Sequence, residues 1–239
     1  MGAKGKLAMG SAGSPLPCLS RAHPLPNWLP LRRAKGRGQV PRLASHLRGT
    51  ILIEAIWIVL GRNKDGEEVT QGTAFGLHGI GIVSAAHVFE ASDKDNPPVS
   101  WEVAKASSPS IRCKVNSWLS TNGLDLAVVD ADAVHTATLR VGERQLETGD
   151  EITIAGFPNW FSSGDGLEVQ SVKVTQRRVV HGVSYILTNA NIRRGASGGP
   201  MLDESGFVVG LALAGAEAIV MPNGGLAIHH LKDLSRMQT

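Results

Sequence analysis

Cysteine is nearly absent from this chain: Cys18 and Cys113 are the only two. They stand too far apart to outline a disulfide framework or a zinc signature. A fold built on this sequence must rely on its core, which favours a reducing compartment, the cytoplasm foremost. Long apolar runs are missing as well. The best of them, Ile51 to Leu60, is half the ~20 residues of a membrane span and contains Glu54, so no membrane span is expected. No Gly-rich phosphate loop, dinucleotide fingerprint or metal cluster stands out, and no cofactor and no metal is implied. His78, His135 and His181 are isolated, and His229 and His230 would point to opposite faces of a strand.

Acidic residues are missing from the first fifty positions. That stretch holds 9 Lys or Arg and no Asp or Glu, so it carries +9; the other 189 residues hold 15 against 21, or −6, and the two sum to the net +3. The basic character of the chain therefore belongs to residues 1–48, a Gly-, Pro- and Arg-rich tail with no sustained periodicity that is expected to be disordered. A secretory signal is not supported, because Lys4-Gly5-Lys6-Leu7-Ala8-Met9-Gly10 breaks off before an apolar core forms. Organelle targeting by the tail, a tether to nucleic acid or an anionic surface at Arg32 to Arg37, and a leader with no role all stay open.

What is present is a β-rich pattern. The 239 residues include 28 Gly and 12 Pro and are 42% hydrophobic, which suits many short strands with turns. In the first half, strands are expected at Ile51–Leu60, Val69–Leu77, Gly81–Ser84, Val99–Val103, Ile111–Val115 and Leu126–Val129, with a helical turn over Ala85–Glu90. In the second half they fall at Glu151–Ala155, Leu167–Thr175, Ser184–Thr188, Met201–Leu202, Val208–Ala212 and Gly225–Ile228.

Among these strands lie three segments that together carry chemistry. Ser197 sits in Gly195-Ala196-Ser197-Gly198-Gly199-Pro200, His87 follows Ser84-Ala85-Ala86, and Asp125 stands in Leu124-Asp125-Leu126-Ala127-Val128. A serine hydroxyl becomes a nucleophile when a histidine takes its proton, and that histidine needs a carboxylate to fix its tautomer. Acyl transfer also needs backbone N–H groups aimed at the developing oxyanion, and Gly195 and Ser197 are the candidates. The serine loop also satisfies the Gly-x-Ser-x-Gly elbow of lipases and esterases. That elbow leads from a strand into a helix, whereas Gly198-Gly199-Pro200 opposes helix entry and Phe207 to Leu211 reads as a strand. Of the known triad orders, only His, Asp, Ser fits here.

With Gly72-Thr73-Ala74-Phe75-Gly76, Ala155-Gly156-Phe157-Pro158 and Gly225-Leu226-Ala227-Ile228 added, the region from about Ile51 to Leu231 resembles a trypsin-like serine peptidase domain of the chymotrypsin superfamily, nearest to the HtrA/Deg type without its C-terminal peptide-binding domain. The resemblance implies an all-β fold of two six-stranded antiparallel β-barrels, with the active site in the cleft between them. The peptidase domain would span residues 49–235, barrel one about 50–138 and barrel two about 139–231. It implies a serine endopeptidase with His87 as base, Asp125 as orienting carboxylate and Ser197 as nucleophile, acting on polypeptides with no need of nucleic acid. The alternative is a latent or inactive trypsin-fold module that binds peptides or a partner protein.

By the same mapping Asn191 floors the specificity pocket, Leu213, Ala214 and Gly215 form its wall, and Gly225 lies opposite. No carboxylate occupies the floor, which disfavours Lys and Arg substrates and favours small or medium apolar side chains. Ala196 replaces the aspartate that pairs with a new N-terminus in trypsin-type zymogens, so other contacts must hold the oxyanion loop. Arg193 and Arg194 are candidates, though solvated charges are the plainer reading.

Overall fold

The computed structural model describes residues 52–90, 95–120, 124–133, 137–160, 166–213, 223–227 and 229–230. The basic segment, His135, Ala214 and Gly215 lie outside them. Twelve strands form two closed six-stranded antiparallel barrels. Barrel one runs in the order β1 (Ile56–Arg62), β2 (Glu68–Leu77), β3 (Gly81–Ser84), β6 (Ala127–Ala131), β5 (Ser108–Ser120) and β4 (Ser100–Lys105), which closes back on β1. Barrel two runs β10 (Pro200–Leu202), β11 (Val208–Leu213), β12 (Gly224–Ala227), β9 (Val183–Thr188), β8 (Glu168–Val180) and β7 (Glu151–Gly156), which closes on β10. Closure leaves neither sheet with an edge. Among the described residues no helix is long and apolar enough to cross a membrane.

Alternation explains how each barrel fills and how the two meet. Ile152, Ile154, Val172, Val174, Ile186, Met201 and Val209 form one cluster inside barrel two. Val208, Leu211 and Leu213 of β11 and Leu226 of β12 instead join the cluster that contains Ile56, Ile58, Phe75 and Leu126 of barrel one. A register break that skips Val209 opposite Met201 and Leu202 turns both Val209 and Gly210 inward and resets the alternation from Leu211 on. Successive side chains point to opposite faces of a strand. A strand buried on both faces therefore reads as a continuous apolar run, which is the character of Val208-Val209-Gly210-Leu211-Ala212-Leu213.

The chain crosses between barrels within two residues. Leu139 N–H donates to the Gly76 carbonyl at 2.8 Å, and Val208 N–H donates to the Arg140 carbonyl at 2.8 Å. Two strands run well past the sequence reading. β5 and β8 each extend to 13 residues, because added positions such as Asn116, Ser117, Arg177 and Arg178 are exposed and carry no apolar signal. At 52–55 the chain is helical rather than extended, and Glu54 at that turn pairs with Lys105 Nζ at 2.6 Å. His229 and His230 are helical as well, with ring centroids 4.1 Å apart, so strand alternation does not separate them.

Candidate active site

His87 sits in a 3-10 turn, Ala86–Val88, immediately beyond β3. Its neighbours Ala86, Val88 and Phe89 are buried. Phe89 stacks on Trp118 with centroids 5.5 Å apart, and Val88 fits against Gly72, where a Cβ would stand 2.5 Å from Val88 Cγ1. The histidine is thus the partly exposed residue of an anchored turn. Asp125 lies two residues before β6, the strand paired with β3. Its Oδ2 is 2.5 Å from His87 Nδ1, and its Oδ1 accepts the His87 backbone N–H at 2.9 Å.

This carboxylate is held charged. Burial pushes Asp125 toward the neutral form, but the hydrogen bond and attraction of the His87 ring, with the backbone N–H groups of His87 and Ala86, outweigh it and set the carboxyl below its ordinary value. Tyr185 on β9, the chain's single tyrosine, is pushed up by burial and further by the Asp125 charge. Barrel two therefore contributes a half-buried phenol to the surroundings of Asp125, a residue that no sequence motif flags.

Ser197 is buried at 4% exposure in the loop that enters β10. Its carbonyl accepts the N–H of Thr73 at 2.8 Å, so the loop of barrel two is pinned to β2 of barrel one. Gly198, at φ 85°, presses on the segment that leads to His87: a Cβ there would stand 2.1 Å from the Thr73 carbonyl oxygen and 2.8 Å from the Ala85 nitrogen. Both the left-handed backbone and the close approach require glycine. Serine loop and histidine turn thus share one small region of the barrel interface.

Thr73 connects these parts. Its hydroxyl donates to the Gly195 carbonyl at 2.7 Å and accepts the Phe157 N–H at 3.0 Å, while its carbonyl accepts the Ser84 hydroxyl at 2.7 Å. Sequence reasoning placed Thr73 in a motif without a role, because its partners lie 122 and 84 positions away. Gly195 is buried with φ 92°, and among the described residues nothing accepts its N–H. Arg193 stays exposed at the surface, and its guanidinium pairs there with Glu168 at the start of β8.

Of the specificity residues, Asn191 is exposed, Leu213 is buried at 3%, and Gly225 lies beneath Met201 Sδ and the Leu211 carbonyl. Ala214 and Gly215 fall outside the described residues.

Comparison with known proteins agrees with this architecture. A solved structure of the Rv3671c protease from M. tuberculosis in its active form is similar, with a TM-score of 0.60, 16% identity, and an alignment covering 82% of this chain and 88% of that one. A serine endoprotease from Yersinia pestis is similar too, with a TM-score of 0.60, 20% identity and coverage of 80% and 66%. At such identities the likeness shows the fold alone. No curated protein matches the chain in sequence. The family described as the trypsin-like peptidase domain matches residues 72–211, more than half of the sequence. The chain belongs to the trypsin-like peptidase family.

Proposed function

We propose that this protein is a serine endopeptidase in which Ser197 attacks a peptide carbonyl, His87 takes its proton and then gives it to the leaving amine, and Asp125 orients the imidazole. The observation that carries the reading is the Asp125 carboxylate, hydrogen-bonded to both the ring and the backbone N–H of His87. A carboxylate on Nδ1 leaves Nε2 as the basic nitrogen and stabilises the imidazolium. The Gly195 N–H, buried without a described acceptor, is suited to the oxyanion, with the Ser197 N–H as second donor.

The mechanism follows in two halves. Attack forms the Ser197 Oγ–carbon bond and a tetrahedral oxyanion; collapse expels the amine, which leaves with the proton held by His87. Water then attacks the acyl-enzyme, with His87 again as base, and releases the acid. The substrate is a polypeptide, and with Asn191 as a neutral floor the pocket favours small or medium apolar side chains before the scissile bond.

A peptide library incubated with purified wild-type protein and with Ser197→Ala tests this. Cleavage by the wild type after Ala, Val or Leu is expected, with turnover reduced by orders of magnitude in the variant. Equal cleavage by both would assign the activity to something other than Ser197. No cleavage by either favours the second reading, a trypsin-fold module that binds peptides without cutting them.

A further inference from the structure

The turn that follows β7 has a task beyond the catalytic groups themselves. Asn159 lies in the left-handed region at φ 55°, a conformation asparagine enters far more readily than β-branched residues do. From there its backbone N–H donates to the Arg194 carbonyl at 3.1 Å. The turn is fixed to β2 through both polar groups of Phe157: its N–H on Thr73 Oγ1 at 3.0 Å, and its carbonyl on Gln71 Nε2 at 2.9 Å. Gly195 closes onto the same turn, since a Cβ there would stand 2.4 Å from the Phe157 carbonyl oxygen.

A trans peptide unit is planar, so its carbonyl and the following N–H point to opposite edges. The Arg194 carbonyl is turned toward Asn159, and the Gly195 N–H is therefore turned away from that turn. Rotating this one peptide by half a turn would hide the N–H and present a carbonyl oxygen, which repels an oxyanion. We propose that the Asn159 turn is a positioning element that grips the Arg194 carbonyl and thereby holds the Gly195 N–H in its oxyanion-receiving orientation. The inference rests on the serine-peptidase reading. The Arg193–Glu168 ion pair, with Gln170 donating to the other Glu168 oxygen, steadies the approach to the same peptide.

The backbone of Asn159 acts here, which separates this role from that of a side-chain ligand. Glycine keeps the N–H and accepts the positive φ, whereas valine, and to a lesser degree alanine, resist it. Asn159→Gly, Asn159→Ala and Asn159→Val are compared with the wild type in the full chain. The readouts are kcat and KM on a library-derived peptide, affinity for a peptide boronic acid that forms a tetrahedral adduct, and amide hydrogen exchange over residues 193–197. Valine is expected to lower kcat by about 10²-fold, the loss typical of a misplaced oxyanion donor. KM should change little, boronate affinity should weaken by a similar factor, and exchange over 193–197 should quicken. Alanine should fall between valine and the wild type, and glycine should stay within a few-fold of the wild type.

Wild-type kcat and exchange in the alanine and valine variants, or a glycine variant as impaired as valine, would overturn the inference. A wild-type protein that neither cleaves peptides nor reacts with a serine-directed fluorophosphonate overturns the peptidase reading instead. The exchange comparison then decides the clasp by itself: faster exchange over 193–197 in valine but not glycine supports it, and no difference refutes it.

Discussion

Replacing Thr73 with valine conserves the shape of the side chain and removes one oxygen at the junction of the two barrels. That oxygen donates to the Gly195 carbonyl at 2.7 Å and accepts the Phe157 N–H at 3.0 Å, and Thr73 is fully buried. Both partners are buried too. Each buried polar group left without a partner costs about 1–3 kcal/mol, so Thr73→Val should cost about 2–6 kcal/mol. Thr73→Ser keeps the hydroxyl and loses one buried methyl, about 1 kcal/mol. At about 2–4 °C per kcal/mol for a domain of this size, a valine penalty near ~4 kcal/mol lowers Tm by about 8–16 °C. Calorimetry, supported by urea unfolding, measures both variants. The reasoning is refuted if Thr73→Val lies within about 0.5 kcal/mol of the wild type, or is better tolerated than Thr73→Ser.

Acid titration of stability tests the Asp125 environment. The folded-state carboxyl lies below its ordinary value of 3.8, so its stabilising effect is complete above that value and is lost as pH falls through the lowered folded-state value. The urea midpoints of wild type and Asp125→Asn, followed from neutrality to about pH 2.5, should stay separated until below pH 3.8 and then converge; convergence near neutrality would contradict the assignment. Asn191→Asp places a carboxylate at the proposed pocket floor and should raise the relative rate on Lys and Arg substrates, because an unpaired cation is costly to bury; an unchanged ranking in the peptide library would move the floor to another residue.

The barrels were legible because short apolar runs and glycine-marked turns recur along the chain, and Gly81–Ser84 matches β3 residue for residue. The extended parts of β5 and β8 were not, since backbone pairing there carries residues such as Asn116, Ser117 and Arg177 that face solvent. Nor was the helical turn at 52–55, where an apolar run fits either a strand or a buried helical segment. His87 and Asp125 were legible as residue types in order, and their hydrogen bond joins them across 38 positions. Thr73, Gln71 and Asn159 were invisible as site residues, because each acts through contacts between the barrels or through its backbone. Glu168 escaped for a related reason: a carboxylate at a strand end reads as solvated until its partner Arg193 is placed.

Reaction of the full chain with a fluorophosphonate probe, followed by mass mapping of the adduct, tests the central claim most directly. An activated serine is required for the phosphorus–oxygen bond to form and fluoride to leave. The account predicts a single adduct on Ser197 that is lost in His87→Ala and strongly slowed in Asp125→Asn. No adduct on the folded wild-type protein, or an adduct at Ser197 that forms equally fast without His87, would contradict it.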